Sequence, residues 1–193
     1  MDKTLENVLF AIDEINNQDP NLELVDGKNV PKEWVYGLRM TEMLELYNEQ
    51  ASIELQIAAR GQHIRRWHIP RSDYPMDRKG YLKWRTMLKM YHGQLLSELM
   101  EKEGFEKTSI DKVVELVNKN KLKTDAESKE LEDVVCLVFL KYYFHDFGTK
   151  HEEDKIIDIV QKTWGKMTDK GHQMALKLDY LPEDLALIQK ALA

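Results

Sequence analysis

The sequence predicts an all-α fold. Apolar residues recur at helical spacing along most of the chain. No stretch shows the alternation of apolar and polar residues, bounded by hairpin turns, that is typical of strands. Nine glycines and five prolines among 193 residues are few turn signals for an all-β fold. Because 42% of the residues are hydrophobic and 32% charged, the chain is expected to fold as one multi-helix domain over residues 1–193.

The first predicted elements are a helix over residues 2–17 and an irregular connection over residues 18–30. The helix is amphipathic, and its apolar face carries Leu5, Val8, Leu9, Ile12 and Ile15. Turn signals at Asp19-Pro20 and Asp26-Gly27 predict the connection.

A second helix is predicted from Pro31, a residue suited to a first turn, to about Tyr47. A third, over about 51–66, is apolar on more than one side, which indicates a central position. The remaining predicted elements are a loop over 67–80, a long helix over about 81–103, a short helix capped by Ser109, a buried helix over 126–147, a helix over about 152–166 and a last helix with Pro182 in its first turn.

Arginine is concentrated in one stretch, residues 60–85. Six of the seven arginines lie there, and the stretch has eight basic and two acidic residues in a chain of net charge −6. Guanidinium groups bind carboxylate or phosphate with two parallel hydrogen bonds and stack on aromatic rings. Aromatic residues are interleaved with them, so an anion-binding site is favoured over ion pairs with acidic neighbours. The candidate anion-binding residues are Arg65, Arg66, Arg71, Tyr74, Arg78 and Arg85.

Two histidines, His63 and His92, lie on apolar faces of neighbouring predicted helices. A single histidine in such a place is usually a core residue with a satisfied ring nitrogen. Two that point inward from adjacent helices favour a shared site, because neutral imidazole is the commonest metal ligand in proteins.

Carboxylates and one lysine extend this candidate site. Glu132 and Asp133 lie just before the apolar run from Val134 to Leu140, where a carboxylate needs a partner such as histidine, arginine or a metal ion. The alternative is an ordinary helix start, where acidic groups are stabilised by the helix dipole. Lys150, four residues after Asp146, either contributes to anion binding or forms a surface pair, and both interpretations stay open.

Several classes are excluded or disfavoured. A single cysteine, Cys136, rules out an intramolecular disulfide scaffold and is expected in the core. No phosphate-binding glycine loop, metalloprotease motif or serine-hydrolase motif is present. No signal peptide or membrane-spanning run is seen, so no membrane association and a cytoplasmic location are expected.

A long motif in the basic stretch resembles a known family. It consists of Gln62-His63-Ile64-Arg65-Arg66-Trp67, Pro70-Arg71, Tyr74-Pro75-Met76, Arg78, Gly80-Tyr81-Leu82 and Trp84-Arg85. With the segment from Leu131 to Leu140 and Lys162-Thr163-Trp164-Gly165-Lys166-Met167, it resembles the domain of unknown function 4202 family over nearly the whole chain.

A more distant similarity is to the His-Asp metal-dependent phosphohydrolases. Ala58-Ala59-Arg60-Gly61-Gln62-His63 is similar to the helix that carries their central histidine, Tyr91-His92-Gly93 to a later histidine helix, and Leu131-Glu132-Asp133 to the helix with the last acidic ligand. The resemblance implies an HD-phosphohydrolase-like helical fold around one or two metal ions.

The chain departs from that superfamily at two ligand positions. Ile64 follows His63 where the superfamily has its signature aspartate, and no histidine precedes His63. Glu33 or Tyr36 are the residues that could stand near the missing first ligand.

The favoured function is a metal-dependent, phosphohydrolase-like hydrolase of a small phosphorylated or nucleotide anion. His63, His92 and Asp133 would hold a divalent metal ion, which would activate water, and Glu132 and Asp133 would be the catalytic carboxylates. The first alternative is a metal-free module for an anionic metabolite or RNA, with the acidic net charge favouring the small ligand. The second is that the basic stretch stabilises the fold or forms a homodimer contact.

Overall fold

Helices dominate the computed structural model, which describes residues 3–121 and 124–193. The predicted all-α class is confirmed, with one small hairpin in addition. The chain divides into two units, Met1–Thr124 and Asp125–Ala193. The prediction of one domain over residues 1–193 stays a prediction.

The first unit contains five helices and a two-stranded sheet within its described residues. They are α1 (Lys3–Asn16), β1 (Leu22–Val25), β2 (Lys28–Pro31), α2 (Lys32–Tyr47), α3 (Ile53–Arg60), α4 (Arg78–Lys102) and α5 (Lys107–Asn118). Short 3-10 turns at Arg66–His68 and Arg71–Asp73 interrupt the segment between α3 and α4. This segment carries most of the arginines, so its irregular path decides where their side chains lie.

Helix α3 is central in the first unit, as its apolar character predicts. Its residues from Ile57 to Arg60 are all buried, and Ser52 caps its start by accepting a hydrogen bond from the backbone N–H of Leu55. The helix ends at Arg60, earlier than the predicted residue 66. A Cβ atom at Gly61, the residue after the helix, would lie 2.5 Å from a methyl group of Leu96, so glycine is required where the end of α3 packs on α4.

The connection between α1 and α2 contains two short strands that the sequence did not predict, although the turn signal at Asp26-Gly27 is confirmed. Residues 22–31 form an antiparallel hairpin in which Val25 pairs with Lys28. Asp26 and Gly27 both have positive φ, as a two-residue hairpin turn of type I′ requires. Leu22 and Leu24 are 57% and 69% exposed. Each strand has only four residues and buries little surface, so the alternation of apolar and polar residues is too short to be recognised in the sequence.

Helix α4 begins at Arg78, three residues before the predicted start. The Asp77 carboxylate caps it by accepting a hydrogen bond from the Gly80 N–H at 2.6 Å. Gly80 was expected to end a loop, yet it lies in the first turn. A Cβ atom there would lie 2.1 Å from the Pro75 carbonyl oxygen, so the glycine is required for the loop to fold against the helix.

The second unit is helical over its described residues. It contains α6 (Ala126–Val138), a π-helical turn (Phe139–Tyr143), α7 (Phe144–Gly148), α8 (Glu153–Trp164), α9 (Asp169–Ala175) and α10 (Pro182–Leu192). The long helix predicted over 126–147 is therefore a succession of α6, the π turn and α7. Cys136 is buried and Pro182 opens α10, as predicted. None of the helices in the described part of the chain is long and apolar enough to span a bilayer.

Candidate functional site

The rings of His63 and His92 lie close together in the first unit. His63 follows α3 and His92 is on α4, and their ring centroids are 6.3 Å apart. His92 Nδ1 lies 2.7 Å from the carbonyl oxygen of Ile64, which can only accept a hydrogen bond. The proton is therefore on Nδ1, and Nε2 carries a lone pair. This Nε2 is buried and has no hydrogen-bond partner among the described residues.

Glu33, in the first turn of α2, orients His63. One of its carboxylate oxygens lies 3.1 Å from His63 Nδ1, and Tyr36, one turn later, stacks on the imidazole with centroids 4.0 Å apart. The backbone of Glu33 is held by Asp19, whose carboxylate accepts its N–H at 3.0 Å. When Glu33 is ionised it can only accept, so the His63 proton lies on Nδ1 and its Nε2 carries the lone pair. The sequence indicated Glu33 only as a residue that could lie near the position of the missing first metal ligand.

Burial decides the charge of this cluster. It lowers the pKa of His63 well below the ordinary value, and the positive charge of Arg66 lowers it further. Burial, with smaller contributions from His63 and Arg66, lowers the pKa of His92 to about 3. Burial also raises the pKa of Glu33, which Arg66 and Lys32 oppose. Both imidazoles are therefore neutral at physiological pH, the state in which histidine binds metals or accepts protons.

Acidification is expected to destabilise the first unit through His92. Its pKa is about 3 in the folded chain and 6.5 when unperturbed, so below pH 6.5 the unfolded state binds the proton more readily. Stability present at neutral pH is then lost as the pH falls towards 3. From pH 7 to pH 5 the free energy of unfolding should fall by about 2 kcal/mol more in the wild type than in His92→Gln. Urea unfolding at both pH values measures it, and equal slopes for the two proteins would contradict the assignment.

A basic pocket of about 640 Å³ is lined in part by Glu33, the residue that orients His63, and by Arg66. The Arg66 guanidinium lies 4.8 Å from the centre of the Trp84 ring, and its Nε is 3.8 Å from a Glu33 oxygen. The indole N–H of Trp84 donates to the Ile69 carbonyl at 2.8 Å. The pocket is lined by Pro20, Asn21, Leu22, Lys32, Glu33, Arg66, Trp67, Ile69, Pro70, Arg71 and Trp84. Two of the predicted anion-binding arginines thus share a cavity with the residue that orients His63.

Arg71 also holds the loop before α4. Its guanidinium donates to the carbonyl oxygens of Tyr74 at 2.9 Å, Pro75 at 2.6 Å and Asp77 at 3.3 Å. Carbonyl oxygens that fold back on one guanidinium fix the path of the loop. The role of Arg71 in anion binding stays a prediction. Such a role would be additional to its structural role in the loop.

The other predicted anion-binding residues lie in different surroundings. Arg65 has an exposed side chain and positive φ, and its backbone N–H donates to Asn16. Arg78 is exposed at the start of α4, and the Arg85 guanidinium lies 5.7 Å from the centre of the Tyr81 ring. Tyr74 lines a different pocket from the one that contains Arg66. Their assignment to one anion site stays a prediction.

Arg60, which the sequence count included in the basic stretch, is buried in an ion pair. Its guanidinium donates twice to the Asp13 carboxylate, at 2.7 and 2.5 Å, and once to the Thr41 hydroxyl at 3.1 Å. For this arginine the alternative of an ion pair with an acidic neighbour is confirmed.

Glu132, Asp133 and Lys150 belong to the second unit. Asp133 is fully buried and accepts hydrogen bonds from the N–H and the hydroxyl of Thr168. A Glu132 oxygen lies 3.8 Å from Lys166 Nζ, and Lys150 Nζ lies 3.9 Å from exposed Asp146, the geometry of a weak surface pair. Their catalytic, metal-binding and anion-binding roles stay predictions.

The chemistry of the donor set fits a metal ion in part. Two neutral imidazoles, one with an orphaned buried Nε2, suit a divalent ion. Over residues 3–121 and 124–193, however, no three side chains of histidine, cysteine, aspartate or glutamate gather as metal ligands.

Comparison with known proteins adds one match. The model of a family described as a domain of unknown function (DUF4202) matches residues 6–188. No curated protein and no solved structure matches the chain.

Proposed function

The chain belongs to the DUF4202 family, and from this premise we propose that its first unit contains a phosphohydrolase-like site for a small phosphorylated or nucleotide anion, assisted by a divalent metal ion. The observation that carries the proposal is the orphaned, buried Nε2 of His92, 6.3 Å in ring-centroid distance from His63, whose partner Glu33 also lines a pocket with two arginines. A buried lone pair without a donor is costly unless a ligand binds it.

The side chains supply binding and orientation. Arg66 and Lys32 attract the anion to the mouth of the cluster, and Trp67 and Trp84 give the pocket apolar walls. Glu33 holds His63 with its Nε2 lone pair available, and Ile64 does the same for His92 through its backbone carbonyl. A divalent ion held by His63 and His92 would act as a Lewis acid on a phosphoryl oxygen. The HD-phosphohydrolase-like similarity of the sequence is in keeping with this chemistry.

A metal-free binding module for an anionic metabolite is the second candidate. It is favoured by the lack of a third metal donor beside the two imidazoles within the described residues. In this case the arginine pocket alone binds the anion, and His92 Nε2 accepts a hydrogen bond from the ligand or from water.

Elemental analysis and phosphate release test the first candidate. The purified protein is expected to bind about one divalent ion per chain and to release phosphate from a panel of phosphate esters with Mn²⁺, Co²⁺, Ni²⁺ or Mg²⁺. In Glu33→Gln, metal affinity and activity should both fall by about 10–100-fold, because a carboxylate that orients a ligating histidine typically contributes this much.

The control is Glu54→Gln, on α3, whose carboxylate accepts a hydrogen bond from Ser109 and lies outside the imidazole cluster. It should leave metal content and activity unchanged. Absence of metal and of phosphate release in the wild type rejects the hydrolase, and binding of a phosphate ester that Arg66→Ala removes would then establish the binding module.

A further inference from the structure

One exposed face of α4 is separate from the pocket of Arg66. Lys79, Lys83, Met87 and Met90 follow one another at helical spacing and are all exposed, Met90 at 58%. A different side of the helix carries its buried residues, which include Gly80, Trp84, Leu88 and His92. We call Lys79, Lys83, Met87 and Met90 the lysine–methionine face. Two exposed methionines in line with two lysines combine an apolar and a cationic surface.

A pocket of about 710 Å³ lies at the start of this face. Lys79, Lys83 and Met87 form one wall, and Tyr74 and Pro75 from the preceding loop contribute another. Met76, in the same loop, is 80% exposed. The pocket combines apolar residues, among them Ile69, Pro75 and Met87, with charged ones, and thioether side chains adapt to partners of different shape.

This region carries more positive than negative charge. Residues 73–90 contain five basic and two acidic residues. Asp77, one of the two, uses its carboxylate to cap α4, and Asp73 lines the same pocket. Lys79 and Lys83 form no ion pair within the described part of the chain. Their two ammonium groups are therefore available to carboxylates from outside.

We propose that the lysine–methionine face binds an acidic, amphipathic segment of a partner protein. Carboxylates of the segment pair with Lys79 and Lys83, and an aliphatic or aromatic side chain enters the pocket beside Met87. A second copy of the chain fits poorly, because a two-fold symmetric contact would bring two surfaces of the same positive charge together. A nucleic acid fits poorly because two of the four residues of the face are methionines, which offer no donor to a phosphate backbone.

Selection from a displayed library of random 16-residue peptides tests the proposal. Full-length protein is the bait, and Lys79→Glu/Lys83→Glu is the matched counter-bait. The enriched peptides are expected to combine aspartate or glutamate with leucine, isoleucine or phenylalanine. Their affinity for the charge-reversed protein should be lower by at least about tenfold, and for the wild type it should fall as salt rises.

The control Lys155→Glu/Lys177→Glu changes the net charge equally at exposed sites in the second unit and should bind these peptides as the wild type does. Met87→Gln, which keeps both lysines and the charge, should weaken binding because the pocket loses an apolar wall. Enrichment of other peptides, or equal binding to the charge-reversed protein, overturns the proposal. So does stronger binding of a uridine 20-mer or of phosphatidylserine vesicles that depends on the same two lysines. Glu33→Gln should not alter peptide binding, so this test is independent of the proposed hydrolase.

Discussion

Arg60→Ala is expected to lower the free energy of unfolding by about 3 kcal/mol or more, because it leaves one partner of a largely buried ion pair alone. The guanidinium binds the Asp13 carboxylate through two nitrogens and reaches the Thr41 hydroxyl, so it joins α1, α2 and α3. Only 10% of the Arg60 side chain is exposed, and water compensates poorly for the lost donors. Urea unfolding followed by circular dichroism measures the change.

Arg78→Ala is the matched control, because Arg78 is exposed at the start of α4. Its effect should stay within about 0.5 kcal/mol. Arg60→Lys should recover part of the loss, since an ammonium group keeps the charge without the planar fork. An Arg60→Ala protein as stable as the control would show that the ion pair contributes nothing to the fold.

Asp133→Ala is expected to lower the free energy of unfolding by about 3 kcal/mol, at the upper end of the cost of leaving a buried donor unsatisfied. The fully buried carboxylate accepts from both the N–H and the hydroxyl of Thr168, which caps α9. Gly171, in the first turn of α9, packs so closely that a Cβ atom there would lie 2.7 Å from the carboxyl carbon. The Asp133 carboxylate on α6 and Thr168 at the start of α9 thus join these two helices.

The isosteric Asp133→Asn separates this structural role from the proposed metal-binding one. It keeps one carbonyl oxygen as acceptor, so a structural residue should give a milder loss of stability with normal activity of the folded protein. A metal ligand should instead give near-normal stability with loss of bound metal and of phosphate release. Asp146→Ala, at an exposed carboxylate of the same unit, is the control and should leave both measurements unchanged.

The elements that the sequence predicted well have signals within a few residues. The apolar stripe of α1, the proline in the first turn of α10 and the buried run around Cys136 depend on helical spacing and on local backbone preferences. The bounds of α3 and α4 were predicted less well. The close packing of Gly61 on Leu96 of α4 has no signal near α3, whereas α4 begins at Arg78 because Asp77 caps it, a local signal that the prediction missed.

The same distinction between local and distant signals applies to the residues of the candidate site. The sequence indicated His63 and His92 because both were expected on apolar helical faces, although His63 lies in the turn after α3, and the concentration of arginine pointed to the segment that supplies Arg66. The partner of His63 could not be found in this way, because Glu33 is 30 residues earlier and belongs to another helix.

Helix-forming segments, the buried runs and the unusual arginine composition were determined by the sequence alone, because backbone hydrogen bonds and side-chain periodicity act over one or two turns. The tertiary structure decided which charges are paired. It buried Arg60 against Asp13, folded three carbonyls onto Arg71 and left Lys79 and Lys83 exposed. Charges interact according to their distance in space and their burial, and neither quantity is encoded in the spacing of residues along the chain.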